Sequence, residues 1–114
     1  LVQIEMMAFS ETLKKAEEYL QGGDRPDAIF AFSDTASMAI ISAFRQYGLA
    51  APNDYALVGY NNIPPAAHFS PAITTIGQDT GMAGTLLVER LMQQLDGARP
   101  KSVILPTKLI VRET

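Results

Sequence analysis

The stretch Asp54-Tyr55-Ala56-Leu57-Val58-Gly59-Tyr60-Asn61-Asn62-Ile63-Pro64 decides the reading of this chain. It opens on turn residues, runs through a short apolar strand over 56–60, and breaks at Gly59. Two side-chain amides and a proline turn follow. A strand with continuous apolar side chains is expected to be buried on both faces, as in parallel sheets. The polar residues after it then stand at the carboxyl end of that strand, which is where open α/β sheets bind small molecules.

The neighbouring segments repeat this arrangement. Upstream, residues 9–20 carry apolar side chains at helical spacing (Phe9, Leu13, Ala16, Tyr19, Leu20) and stop at Gly22-Gly23. Ala28-Ile29-Phe30-Ala31-Phe32 reads as a second strand buried on both faces, ended by Ser33-Asp34. Ala36, Ala39, Ile40, Ala43, Phe44 and Tyr47 trace a helix stripe closed by Gly48. Downstream, 61–71 reads as irregular and 73–76 as a short β-branched strand. Gln78-Asp79 opens a last helix whose stripe is Met82, Ala83, Leu86, Leu87, Leu91 and Leu95, ending at Gly97. Two late strands, 103–105 and 109–111, are expected on either side of Pro106. Alternating strands and helices predict an α/β architecture of parallel βαβ units. The last helix also carries Val88 and Met92, and so wide a stripe requires partners on more than one side.

Bulk properties narrow the function. At 114 residues the chain has the size of one ordinary domain, and it shows no internal repeat, low-complexity tract or linker. It begins at Leu1 and is read as a piece of a longer protein, with no signal peptide in view. A net charge of -3 without a basic run argues against phosphate-backbone binding by this segment. The absence of cysteine excludes disulfides and thiolate metal sites and allows a reducing compartment. No apolar run approaches the roughly 20 residues of a membrane span. The glycines at 81 and 84 do not form a dinucleotide loop, and the single histidine, His68, has no catalytic or metal-binding spacing around it. No cofactor or metal is expected.

The side chains that remain are those at the strand ends. Asp34 follows the first strand, Asn61 and Asn62 the second, and Gln78 and Asp79 the third. In a parallel sheet these ends lie on one edge, so the groups converge. Carboxylates and amides present paired donors and acceptors that suit hydroxyls or the edge of a heterocycle. A structural reading stands beside this one. Asp34 and Asp79 each precede a helix, where Asp is a preferred N-cap, and Asn61 and Asn62 are common turn residues. Gln78 has no such local role. For Asp34 the two readings are compatible, with a backbone that opens the helix and a carboxylate that faces the cleft.

Several segments, taken in order, resemble LacI/GalR-type transcription regulators. Pro26-Asp27-Ala28-Ile29-Phe30-Ala31-Phe32-Ser33-Asp34, the run from Gly48-Leu49 to Pro52-Asn53-Asp54, and Val58-Gly59-Tyr60 are three. Phe69-Ser70-Pro71-Ala72-Ile73-Thr74-Thr75-Ile76 with Gln78, and the closing Leu105-Pro106-Thr107-Lys108-Leu109-Ile110-Val111-Arg112-Glu113, are two more. The resemblance runs from Asp24 to Thr114. It implies a three-layer αβα lobe of a periplasmic-binding-protein-like (type I) fold, with residues 1–114 forming the C-terminal part of the effector-binding domain. On this reading the helix-turn-helix head and most of the N-terminal lobe lie outside the chain, and the last helix crosses back onto the N-terminal lobe. The implied ligand is a sugar or nucleobase-like effector, and Asp34, Gln78 and Asn61 match effector-contacting or near-cleft positions. Asn61 stands where the family usually has Asp, Ser37 and Ala39 replace its usual small residues, and Asp79 replaces a frequent proline.

The resemblance further implies a cytoplasmic homodimer that meets operator DNA only through the absent head, with no membrane partner. The helix over 35–47 and the loop near Phe69 are candidate dimer surface. A periplasmic sugar-binding protein of a transport system shares the fold and is the alternative. An enzyme using Asp34 or Asp79 as acid or base is disfavoured, because no nucleophile, metal pair or phosphate loop accompanies them.

Overall fold

The computed structural model describes residues 8–114. The elements are α1 (Phe9–Gln21), β1 (Ala28–Phe30), α2 (Asp34–Gln46), β2 (Ala56–Tyr60), α3 (Pro64–His68), β3 (Thr75–Gln78), α4 (Thr80–Leu95) and β4 (Thr107–Ile110). The four strands form one sheet in the order β1-β2-β3-β4. The first three run parallel, and β4 returns antiparallel on the free edge of β3. All three loops leaving the parallel strands therefore emerge at one edge, as the alternation of strands and helices predicted.

The helices form where capping and periodicity agree. In α1 the buried residues are Thr12, Ala16 and Leu20, one helical turn apart. Gly23 follows the helix with φ of 89°. In α2 the Ser33 hydroxyl accepts the Ala36 amide at 3.1 Å and caps the first turn. Ala36, Ala39, Ile40, Ala43 and Phe44 then face inward. Small residues along α2 let α1 pack closely against it, and Ile40, Ile41, Phe44, Leu20, Leu57 and Ile73 join in one core. Phe44 meets Tyr55 edge-on, with ring centroids 4.7 Å apart.

Several elements differ from expectation, each for a physical reason. β1 spans three residues rather than five and is not buried on both faces: it is an edge strand, and Phe30 is 66% exposed. β2 runs over Ala56–Tyr60 as expected, with Gly59 inside it rather than at a break. The glycine is required for packing rather than for a break. A Cβ there would lie 2.3 Å from Asp34 Oδ1 and 2.7 Å from Ser37 Oγ. β3 lies two residues later than expected and takes in Gln78. Within 61–71, Pro64 and Pro65 pre-set the first turn of the short helix α3. Of the two late strands only β4 forms. Residues 103–105 pair with none of the four strands, and Ile104 is 94% exposed.

The wide stripe of the last helix is left uncovered among the described residues. α4 has no buried residue, and Met82, Leu87, Val88, Leu91, Met92 and Leu95 are each more than half exposed. It projects from the lobe, giving extents of 58 × 25 × 20 Å and a radius of gyration of 17.8 Å. A compact domain of this length would have a radius near ~13 Å. No helix among the described residues is long and apolar enough to cross a membrane.

Two expected outcomes follow. Gly59→Ala forces a methyl into the Asp34–Ser37 contact and should lower unfolding free energy by about 1–3 kcal/mol in urea titrations. Tyr55 has a buried hydroxyl without a hydrogen-bond partner among the described residues. Burial, the largest influence, pushes this phenol up to about 12, with Arg45 lowering it and Asp54 raising it. The folded value exceeds that of the unfolded chain, near ~10. This contribution to stability is therefore complete below the unfolded value and is lost as pH climbs towards the folded one. Tyr55→Phe should flatten that alkaline loss in pH-dependent denaturation and leave stability at neutral pH unchanged or raised.

Candidate functional site

The site is built outward from Asp34. Its residue is fully buried at the first turn of α2, directly beneath the carboxyl ends of the parallel strands. Ser33, not Asp34, supplies the capping oxygen, which corrects the expectation that Asp34 caps the helix. The Asp34 carboxylate is instead used across elements. Oδ2 accepts the Ile63 amide at 2.8 Å, and Oδ1 accepts the Thr75 hydroxyl at 2.5 Å. One carboxylate thus ties α2 to the loop after β2 and to the start of β3. The helix amino terminus supplies a favourable field for the negative charge. Gly59, level with Thr75 in the β2–β3 register, leaves the space that the carboxylate occupies.

Above this anchor the chain makes an unusual turn. Asn61 and Asn62 both have positive φ, 103° and 52°. Two such residues in succession are costly for side chains other than glycine, with Asn among the least penalised. Both backbone amides and both side-chain oxygens of the turn have partners. Asn61 donates its amide to the Ile76 carbonyl at 2.9 Å, and the Asn62 amide points at Thr75 Oγ1 at 3.4 Å. The Asn61 carboxamide oxygen accepts Gln78 Nε2 at 3.1 Å. The Asn62 oxygen accepts Arg112 Nη2 at 2.6 Å, and Arg112 Nη1 donates to the Ile73 carbonyl at 2.7 Å. Gly77 lies beside this turn: a Cβ there would be 3.4 Å from Asn62 Cβ and 2.9 Å from Ile110.

The residues singled out in the sequence fall into different roles. Asn61 and Gln78 are brought into direct contact on an exposed rim. Asp34 lies below them, without solvent contact and with both oxygens engaged. Asp79 caps α4, its Oδ1 accepting the Met82 amide at 2.8 Å. His68 ends α3 on the surface. Thr75 and Arg112 were missed as contributors to the site. In the sequence Thr75 is one of four β-branched residues in the 73–76 run, and its hydroxyl acquires a role because the fold places Asp34 beside it. Arg112 is 50 residues from its partner Asn62. The signal that could have pointed here was Gly59, since a glycine inside an apolar strand marks a close approach by another group.

The rim offers hydrogen-bonding amides rather than reacting groups. With Gln78 Nε2 donating to Asn61, the Gln78 carbonyl and the Asn61 amide nitrogen remain for a ligand. No cluster of three metal-ligating side chains occurs among the described residues. An open recess lies elsewhere. It is an apolar trough of about 580 Å³ between α1, β1 and α2, lined by residues such as Phe30, Phe32, Ile40 and Phe44.

The family described as periplasmic binding protein-like domain matches residues 2–114. The chain is 42% identical over 83 residues to the HTH-type transcriptional repressor PurR of Photobacterium profundum, covering 73% of this chain and 25% of that protein. It therefore spans about a quarter of the length of that curated relative. Among solved structures it is similar to the lac repressor dimer bound to operator and the anti-inducer ONPF. The TM-score is 0.88 at 28% identity, over 94% of this chain and 38% of that one. It is also similar to the transcriptional regulator CelR in complex with cellobiose, with a TM-score of 0.86 at 30% identity, over 94% and 33%. The sheet of three parallel strands, the polar rim at their carboxyl ends and these likenesses agree: the chain belongs to the periplasmic-binding-protein-like domain family, in its LacI/GalR effector-binding branch.

Proposed function

We propose that this chain is the C-terminal part of the effector-sensing domain of a LacI/GalR-type transcription regulator. The observation that carries the reading is the paired carboxamides of Asn61 and Gln78 at the carboxyl edge of the parallel strands. This is the edge at which open α/β sheets take small molecules. The pair is uncharged and offers one acceptor and one donor side by side, which suits a sugar hydroxyl pair or the edge of a nucleobase. Asp34, the third residue of the proposed site, contributes by holding the 61–63 loop in place rather than by touching solvent.

The exposed apolar side of α4 supports the view that a further lobe completes the cleft. Six large apolar side chains on one helix do not stay in water without cost. Similarity to repressors supports a regulator over a transport protein. In the proposed mechanism the effector bridges two lobes and shifts their closure, acting through its different affinity for the two states. That closure sets the spacing of two operator-reading heads in a cytoplasmic homodimer, because operator half-sites mirror protein two-fold symmetry. No catalytic step is proposed.

The test is a thermal-shift screen of the complete protein against sugars, including cellobiose and lactose, and nucleobases, including adenine and guanine. A compound that binds the native state, present at about 100 times its Kd, should raise stability by about 2.7 kcal/mol. For a compound so found, Gln78→Leu should weaken binding by more than tenfold, as measured by calorimetry. Unchanged affinity would remove Gln78 from the site. Asp34→Ala should abolish the effector's influence on operator binding while operator binding itself persists, and normal induction by this variant would remove Asp34.

A further inference from the structure

Arg112 occupies an unusual place. It follows β4 in the chain, yet its guanidinium lies against the turn beyond β2. Both of its side-chain contacts are neutral oxygens: the Asn62 carboxamide at 2.6 Å and the Ile73 carbonyl at 2.7 Å. Arg112 is not among the ion pairs of the described residues. Its backbone is fixed as well. The Arg112 amide donates to Thr74 Oγ1 at 2.9 Å, and Thr74 Oγ1 donates to the Thr114 carbonyl at 2.8 Å. Glu113 and Ala72 exchange two hydrogen bonds, at 2.9 and 2.7 Å. Thr114 Oγ1 donates to the Leu57 carbonyl at 2.7 Å. The tail over 112–114 is thus a rigid strap along 72–74, and the guanidinium extends from it.

We propose that Arg112 is a positioning residue for the Asn61–Gln78 pair, acting through the left-handed turn at 61–62. The turn stores strain, since neither Asn61 at φ of 103° nor Asn62 at 52° occupies a conformation that side chains favour. Such a conformation persists only where its surroundings over-determine it. Asp34 fixes the turn's far end through the Ile63 amide, and Ile76 fixes the Asn61 amide. The Asn62 amide has only a long approach to Thr75, at 3.4 Å. Among the described residues Arg112 therefore supplies the one short hydrogen bond to residue 62. A charged donor makes a stronger bond than a neutral one. Without it, Asn62 is free to relax towards negative φ, and that rotation turns the preceding Asn61 carboxamide away from Gln78. The consequence is that the ligand-facing donor and acceptor are set by a residue of the C-terminal strap that does not itself stand on the rim.

Only the binding half of the test rests on the effector reading; the positioning half stands without it. In the complete protein, the side-chain amide signals of Asn61 and Gln78 are assigned by NMR through Asn61→Ala and Gln78→Ala. They are then followed in Arg112→Met, Asn62→Gly, the double variant and Asn62→Asp. Arg112→Met should shift both signals, and the same substitution made in Asn62→Gly should move them no further, because the coupling passes through residue 62. Asn62→Asp keeps an acceptor for the guanidinium and should hold both signals near their original positions. Signals unmoved by Arg112→Met, or moved equally in both backgrounds, would overturn the proposal and leave Arg112 as a clamp on Ile73 alone. A fall in Tm without signal changes would do the same. In calorimetry with whichever of cellobiose, lactose, adenine or guanine binds, Arg112→Met should raise Kd at least fivefold, with no added effect in Asn62→Gly. Should none of these bind, the effector reading loses support while the NMR result still decides the role of Arg112.

Discussion

A carboxylate removed from water organises this lobe. Asp34 is buried with its two oxygens taken by the Ile63 amide and the Thr75 hydroxyl. A charge in that position is tolerable only when it is hydrogen-bonded, and here the donors come from two other elements. The consequence reaches the sequence at Gly59, where any larger residue would overlap the carboxylate and Ser37. It reaches the register too, because Thr75 must lie level with Gly59 to present its hydroxyl. The helix, the loop and the third strand cannot shift independently without stranding a buried polar group, which costs about 1–3 kcal/mol.

The rim above inherits this rigidity. Asn61 and Gln78 meet at 3.1 Å because the intervening backbone is fixed from both sides, by Asp34 below and by Ile76 in the neighbouring strand. Holding two amides in one orientation before a ligand arrives reduces the ordering cost of binding. The proposed site is therefore a product of the sheet edge. The strap at 112–114 makes the same point from the other side, since its hydrogen bonds run to Leu57, Ala72 and Thr74 in a region far away in sequence.

The apolar surfaces describe what the lobe does alone and what it leaves open. Its own core, from Leu20 to Ile73, closes around α1, α2 and β2. The outward face of β1 and the stripe of α4 are not closed by any described residue. These two surfaces differ in character from the polar rim. The rim is suited to a small ligand, whereas the apolar faces are suited to burial against protein.

The sequence by itself determined the alternation of strands and helices, the stripes of α1, α2 and α4, and the place of Asn61 and Gln78 at strand ends. These are local matters of periodicity, capping and turn chemistry. It also carried the family, through ordered segments from Asp24 to Thr114. Tertiary structure alone decided the rest. That Ser33 rather than Asp34 caps α2 depends on where the carboxylate finds stronger partners. That β1 is an edge strand with Phe30 outward depends on which strands pair with it. Gly59 makes room for Asp34, Thr75 serves it, and Arg112 reaches Asn62; the last two contacts join residues 41 and 50 positions apart. No window of sequence contains both partners of such a contact, so their chemistry becomes readable only when the fold has brought them together.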